Sequence, residues 1–213
     1  MEAAILSPAS PKNGKITLRF GEWEVRHFQP QKMTDEEFYA FCRENPEMKI
    51  EQDKYGNVIV MPPVSPESGN LESEVGIDLG LWNRRSNLGR TFSSSTMFTL
   101  PDGSKRMPDA SWISHEKYNR LTERERQSFA KIVPDFVIEV RSPSDSLEEL
   151  KAKMTESWMS NGVRLAWLLD PESESAWIYR ADGSTETIAG FDNKLSGEDV
   201  LPGFEFDLGV LKG

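Results

Sequence analysis

Two short segments carry the residues best suited to do chemistry. The first is Pro108-Asp109-Ala110-Ser111-Trp112, and the second is Pro134-Asp135-Phe136-Val137-Ile138-Glu139-Val140-Arg141. The second is apolar enough for a buried strand, yet it carries an acid and then a base. A lone carboxylate is costly to bury unless it is paired, protonated or bound to a metal. Strand side chains alternate between faces. Phe136, Ile138 and Val140 therefore face one side, and Asp135, Val137, Glu139 and Arg141 face the other. Glu139 and Arg141 become neighbours, read either as an ion pair at a strand end or as a catalytic acid followed by its charge-stabilising base.

Other chemistries find little support. The chain has two histidines, His27 and His115, in unrelated contexts, and one cysteine, Cys42. A structural zinc site needs more such ligands than that. Ser93-Ser94-Ser95-Thr96 lacks the Gly-x-Ser-x-Gly elbow of esterases, and no Walker-type phosphate loop is present.

The elements that must position these acids can be read along the chain. Thr34-Asp35-Glu36-Glu37 places a carboxylate three residues after a capping hydroxyl, which predicts a helix to about Glu44. Met48 to Asp53 and Asn57 to Met61 flank Lys54-Tyr55-Gly56 as a hairpin. Ser65 to Asn70 reads as a polar loop, followed by a helix from about Gly69 to Ser86. Strands are expected over 89–95, 97–100 and 109–113, with a short charged helix over 122–129. The strand over 134–141, a helix to about Ser160 and a strand over 164–169 form a βαβ unit. A last hairpin turns about Asp182-Gly183, and the tail over 195–206 is loop with one short strand. Ile16 to Phe28 reads as a strand or an extended arm. Helices between central strands and hairpins at both ends predict an α/β fold with a mixed sheet. The expected organisation is a lead-in over 1–33, one domain over 34–208 and a tail over 209–213.

Two helices place charge where apolar residues belong. On the wheel of the helix over 69–86, Leu71, Val75, Leu79, Leu81 and Trp82 share one arc, and Glu74 and Asp78 fall within it. Such acids either reach out from the arc's edge or point into a polar pocket. Glu74 is the stronger pocket candidate, with Asp78 in a hydrogen-bond network. In the helix over 146–160, Leu147, Leu150, Met154 and Trp158 form the stripe. Lys151 lies in it and Lys153 off its edge, and a lysine stem can cover apolar surface with its head in water.

Composition bounds the function. A chain of 213 residues with six Trp and eleven Phe can bury a real core. No apolar run reaches the length of a membrane span, and the start lacks the basic and apolar regions of a secretory signal. A lone cysteine forms no internal disulfide and fits a reducing cytoplasm. Beside Phe38 and Phe41, Cys42 reads as core packing. The net charge is −10, so any surface for nucleic acid must be local. Its candidates are Lys105-Arg106, Arg84-Arg85-Arg90 and the stretch from Arg120 to Arg126, each of which reads first as a solvated face.

The order of acid-bearing helix, Pro108-Asp109, Glu139-Val140-Arg141 and lysine-bearing helix resembles the PD-(D/E)XK nuclease superfamily. More closely, the chain resembles the Uma family of restriction-endonuclease-like proteins, also called domain of unknown function 820. The resemblance runs over roughly Thr34 to Leu208. It rests on Met61-Pro62-Pro63, Ser95-Thr96-Met97-Phe98-Thr99-Leu100-Pro101, the two acidic segments with Ser142-Pro143-Ser144-Asp145, Asn161 to Pro171, and Leu201-Pro202-Gly203-Phe204. It implies a restriction-endonuclease-like mixed sheet flanked by helices, with Asp109 and Glu139 as metal ligands and Glu74 as the helix-borne acid. The superfamily's lysine normally follows the second acid by two residues, where this chain has Arg141. Arginine keeps its charge and cannot act as a neutral base. In this family a lysine of the following helix is the implied substitute. Lys153 matches it, whereas the helical wheel prefers Lys151.

The implied chemistry is phosphodiester hydrolysis assisted by Mg²⁺ or Mn²⁺, cations that prefer oxygen ligands. The Val140 carbonyl could add a ligand, a lysine or Arg141 would meet the scissile phosphate, and Ser142 would hydrogen-bond within the site. The expected activity is therefore a metal-dependent endonuclease, with DNA as the expected substrate. Two alternatives stand beside it. One is an inactive nuclease-fold module for interaction or DNA binding, favoured by the acidic charge and by Arg141. The other is a hydrolase of a small phosphate ester. Nucleases that cut two strands often pair, so a homodimer is considered, with Trp23, Phe28 and Phe191 at an interface or in a single core.

Overall fold

The computed structural model describes residues 32–212 and, nearer the N-terminus, the backbone of three short strands. These are β1 (Ala4–Leu6), β2 (Ile16–Phe20) and β3 (Trp23–Phe28), the last two an antiparallel pair. Helix α1 (Asp35–Glu44) starts at Thr34, whose hydroxyl accepts the Glu37 N–H while the Glu37 carboxylate accepts the Thr34 N–H. This is the reciprocal cap the sequence predicts. Strands β4 (Lys49–Gln52) and β5 (Val58–Met61) form the expected hairpin.

Helix α2 (Pro66–Ser86) begins earlier than expected. Ser65 caps it through the Ser68 N–H, and Pro66 occupies the first turn, where a missing N–H goes unnoticed. The polar loop foreseen over 65–70 is thus helical. Next come β6 (Gly89–Ser93), β7 (Phe98–Thr99), β8 (Lys105–Arg106) and β9 (Ala110–Ser114). Two short helices, α3 (His115–Tyr118) and α4 (Glu123–Arg126), lead to β10 (Phe136–Val140). Helix α5 (Leu147–Lys153) passes into a π turn at Met154–Trp158 and a 3-10 turn at Met159–Asn161. Gly162, at φ 97°, ends the run. The chain closes with β11 (Leu165–Asp170), β12 (Ser175–Arg180), β13 (Thr185–Ala189), β14 (Lys194–Ser196) and β15 (Glu205–Asp207).

The main sheet is six-stranded, in the order β13-β12-β11-β10-β9-β6. The β10–β11 pair is parallel, joined through α5 as the βαβ pattern requires, and its other pairs are antiparallel. Alternation along β10 decides the layers. Phe136, Ile138 and Val140 pack with Leu71, Val75 and Leu79 of α2 and with the C-terminal residues Leu201, Phe204 and Phe206. Val137 packs on the other face with Met154 and Trp158. Both faces are therefore covered, which is why β10 and β11 read as near-continuous apolar runs. Trp167 stacks on Phe204 at 5.7 Å and meets Phe136 edge-on at 4.8 Å. Burying each such side chain contributes about 1.5–3 kcal/mol on the face of β10 opposite Glu139.

A five-stranded sheet, β1-β5-β4-β8-β7, packs with α1 around a separate cluster of Met33, Phe38, Phe41, Ile50 and Val58. Strand β8 joins it through Gln52 and Lys105. Lys105 is itself buried, with Asp35 and Gln52 as partners, and Arg106 pairs with Glu51. Lys105-Arg106 is therefore interior wiring and offers no phosphate track. Phe191 is fully buried in the main core, so it serves no interface. The Trp23 and Phe28 side chains lie outside the described residues. No helix among those residues is long and apolar enough to cross a membrane.

Candidate active site

The C-terminal end of β10 and the start of β9 open into a cleft of about 510 Å³. Its walls include Asp109, Glu139, Val140 and Lys153, together with Glu72 of α2, Lys49 of β4 and the loop Ser142 to Asp145. The two acidic segments of the sequence thus meet, because β9 and β10 are antiparallel neighbours and Asp109 immediately precedes β9. Asp109 Oδ2 accepts the Val140 N–H at 2.8 Å, so the end of one strand holds the acid of the other.

Glu139 faces α5 and is 3% exposed. Its Oε1 accepts the Trp158 Nε1–H at 2.7 Å and lies 2.9 Å from Lys153 Nζ. Lys153 and Trp158 are five residues apart, which in a regular α-helix turns them about 140° away from each other. The intervening π turn closes i→i+5 bonds and brings the two donors to one side. Both donors meet one oxygen, and among the described residues no hydrogen bond reaches Glu139 Oε2.

Lys153 has a second anchor, Glu51 Oε1 at 3.4 Å. Glu51 is 2% exposed and also takes the Met107 N–H at 2.8 Å and the Arg106 guanidinium at 2.9 Å. Burial alone would raise Glu51, but Lys153, Arg106 and that N–H outweigh it and hold the carboxyl below its usual range. Burial would likewise depress the Lys153 ammonium, yet Glu139 and Glu51 hold it above the ordinary lysine range. Burial raises Glu139 to about 7, opposed by Lys153 and reinforced by the Asp109 and Glu51 carboxylates. Burial raises Asp109 to about 6, against the pull of Lys49 and with a push from Glu72. At neutral pH the cluster keeps Lys153 and Glu51 charged, and Glu139 is the carboxyl that most readily retains a proton.

Asp109, Glu139, Val140 and Lys153 therefore converge on the cleft, whereas Glu74, Arg141 and Lys151 do not line it. Arg141 points to the neighbouring strand end. Its guanidinium lies 3.1 Å from the buried Asp170 and 2.9 Å from Glu172. Strand β10 ends at Val140, so alternation does not carry Arg141 onto the Glu139 face. Lys151 pairs loosely with Glu148 at 3.7 Å and covers the Trp177 ring. Ser142 turns inward on its own loop, donating to Asp145 at 2.7 Å.

On α2 the cleft acid is Glu72 in place of Glu74. The two project about 160° apart around a helix. Leu81, expected in the apolar arc, is 47% exposed. Without it, the buried set Ser68, Leu71, Val75, Leu79 and Trp82 centres the arc closer to Glu72. Sequence reasoning also missed Lys49 and Glu51. Their signal was alternation on β4, which puts both on the face opposite Ile50, in a hairpin read only as peripheral.

A hard divalent cation fits this donor set. Asp109 and Glu139 each keep one oxygen, Oδ1 and Oε2, without a hydrogen bond among the described residues, and burial disfavours both groups as anions. No group of three or more His, Cys, Asp or Glu side chains closes on a common point among those residues. Magnesium-type sites commonly use one or two carboxylates and keep several waters, so two suffice.

Comparisons with known proteins bear on the fold and the family. No curated protein matches the chain. A crystal structure of "a putative nuclease belonging to DUF820" from Anabaena variabilis superposes with a TM-score of 0.68 at 22% identity, covering 84% of this chain and 97% of that one. At that identity the likeness shows the fold, a mixed sheet flanked by helices. The family model Uma2, described as "Putative restriction endonuclease", matches residues 35–209. A match over that span, including both acidic segments and the lysine-bearing helix, makes this chain a member of the Uma2 family.

Proposed function

We propose that this protein is a metal-dependent endonuclease hydrolysing phosphodiester bonds in DNA. The observation that carries the reading is the convergence of two proton-retaining carboxylates, the buried Glu139 and the part-buried Asp109, with a lysine held in its charged form beside them. Asp109, Glu139 and the Val140 carbonyl would hold Mg²⁺ or Mn²⁺, with Glu72 nearby. The bound cation supplies charge neutralisation and a more acidic water.

The chain's own residues do the rest. Lys153 has three N–H donors; two turn to Glu139 and Glu51, and its place on the cleft wall leaves one for substrate. Held cationic, it cannot accept a proton from water. Its role is to bind a non-bridging phosphate oxygen and stabilise the charge that grows as water adds to phosphorus. The attacking water gives up one proton to solvent, the P–O bond to the leaving oxygen breaks, and that oxygen takes a proton from solvent. Trp158 and Glu51 fix Lys153 and Glu139 relative to each other.

The test is a thermal shift titration paired with plasmid cleavage. Mn²⁺ should raise the melting temperature and support nicking, and Asp109→Ala should abolish both. A wild-type protein indifferent to Mn²⁺ and Mg²⁺ would overturn the reading. A second reading, a DNA-binding module without chemistry, is favoured by Arg141, which stands at the superfamily's lysine position and pairs with Asp170 and Glu172 away from the cleft. It requires DNA binding unaffected by divalent cations and no nicking.

A further inference from the structure

Lysine 49 differs from the other lysine of the cleft. It opens β4, and alternation places it on the same strand face as Glu51. Glu51 is buried and held by three donors, but Lys49 sits at the rim with 29% of its side chain exposed. Among the described residues its one ion-pair partner is Asp109 Oδ1 at 3.8 Å, beyond hydrogen-bond distance. Lys153, by contrast, is wedged between two carboxylates at 2.9 and 3.4 Å. The cleft thus holds one fixed cation and one loosely held cation. The loose one stands against the Asp109 oxygen that takes no backbone hydrogen bond.

A divalent cation at that oxygen and an ammonium beside it would repel each other strongly across a partly desolvated cleft. Lysine has a flexible four-carbon stem and no geometric demand on its partner, so it is the member able to leave. Ser65 and Ser68 at the start of α2 also line the cleft, and Glu72 one turn on would be drawn to the cation as Asp109 is. An incoming phosphate would be the anion available. We propose that Lys49 is a resident counter-ion of the site: it neutralises Asp109 before a divalent cation binds, is displaced by that cation, and then holds a backbone phosphate of the substrate. This rests on the metal-dependent reading above and names a residue that reading leaves without a role.

The experiment uses the full chain and four proteins: wild type, Lys49→Met, Lys49→Arg and Lys54→Met. Lys54 lies on the same hairpin but pairs with Glu156 at 3.7 Å, so its loss changes net charge equally and leaves Asp109 alone. In calorimetric titration with Mn²⁺, Lys49→Met should bind about fivefold more tightly than wild type, the scale of one partly exposed ion pair removed. Lys49→Arg and Lys54→Met should stay within about twofold of wild type on the same scale. With Ca²⁺ in place of Mn²⁺, fluorescence anisotropy on a duplex oligonucleotide should show Lys49→Met binding about fivefold more weakly. Its salt slope should be smaller by about one, and Lys49→Arg should recover both. The proposal is overturned if Lys49→Met binds Mn²⁺ no more tightly than wild type, if Lys54→Met behaves like it, or if duplex affinity does not change. A wild type that binds no Mn²⁺ refutes the metal-dependent reading itself, a separate outcome from any difference between variants.

Discussion

Divalent cation binding should be steeply dependent on pH between 6 and 8. Asp109 is raised from 3.8 to about 6 and Glu139 from 4.5 to about 7, in each case chiefly by burial. A cation binds the deprotonated form. With those values, both carboxyls are ionised together in about one molecule in twenty at pH 6 and in about nine in ten at pH 8. Apparent affinity should therefore rise about 20-fold over that range, or about 1.8 kcal/mol. Binding at pH 6 should release about 1.4 protons, and at pH 8 about 0.1. Calorimetric titration of Mn²⁺ in two buffers of different ionisation enthalpy measures both quantities. Stability without metal must run the other way. Folded-state values above the unfolded ones mean the native chain binds more protons between about pH 4 and 7. Stability conferred by the protonated carboxyls is fully present below about pH 4 and is lost as pH rises through 6 and 7. The ceiling is about 3 kcal/mol for each group. An affinity that varies less than threefold from pH 6 to 8, with no proton release at pH 6, would refute the argument that these buried carboxyls are the ligands.

The remaining predictions concern the scaffold of the site. Lys153→Met leaves Glu139 and Glu51 facing each other without their shared cation; it should destabilise the fold by about 3–5 kcal/mol at pH 8 in chemical denaturation. The loss should be smaller at pH 5, where Glu139 is protonated. Trp158→Phe removes a hydrogen bond to a carboxylate and should cost about 1.5–3 kcal/mol, with Mn²⁺ affinity at pH 7 falling as Glu139 holds its proton more firmly. Glu72→Gln should weaken Mn²⁺ binding about tenfold, while Glu74→Gln leaves the titration unchanged; the opposite ranking would mean the face of α2 toward the cleft is misassigned.

The elements were largely legible because their signals are local. Thr34 with Glu37 marks the start of α1, the apolar run after Pro134 marks β10, and Asn161-Gly162 marks the end of the helical segment before β11. Where a signal was missed, the physics was also local but subtler. Ser65-Pro66 is a helix start that reads as loop until Pro is recognised as a first-turn residue. The π turn after Lys153 has no sequence mark and defeats any fixed angle per residue, so the wheel pointed to Lys151.

The available chemistry is legible before folding: two acids in strand contexts, a lysine-bearing helix between parallel strands, and no thiol or imidazole set to compete. Those are properties of residue type and short-range pattern. Which charges stand together depends on contacts between distant parts of the chain. Glu51 and Lys49 arrive from a hairpin distant along the chain, Glu72 displaces Glu74 because one exposed leucine shifts the buried face of α2, and Arg141 is drawn off by Asp170. Pairing of buried charge depends on distance and shared desolvation, and both come into being only when separate elements pack.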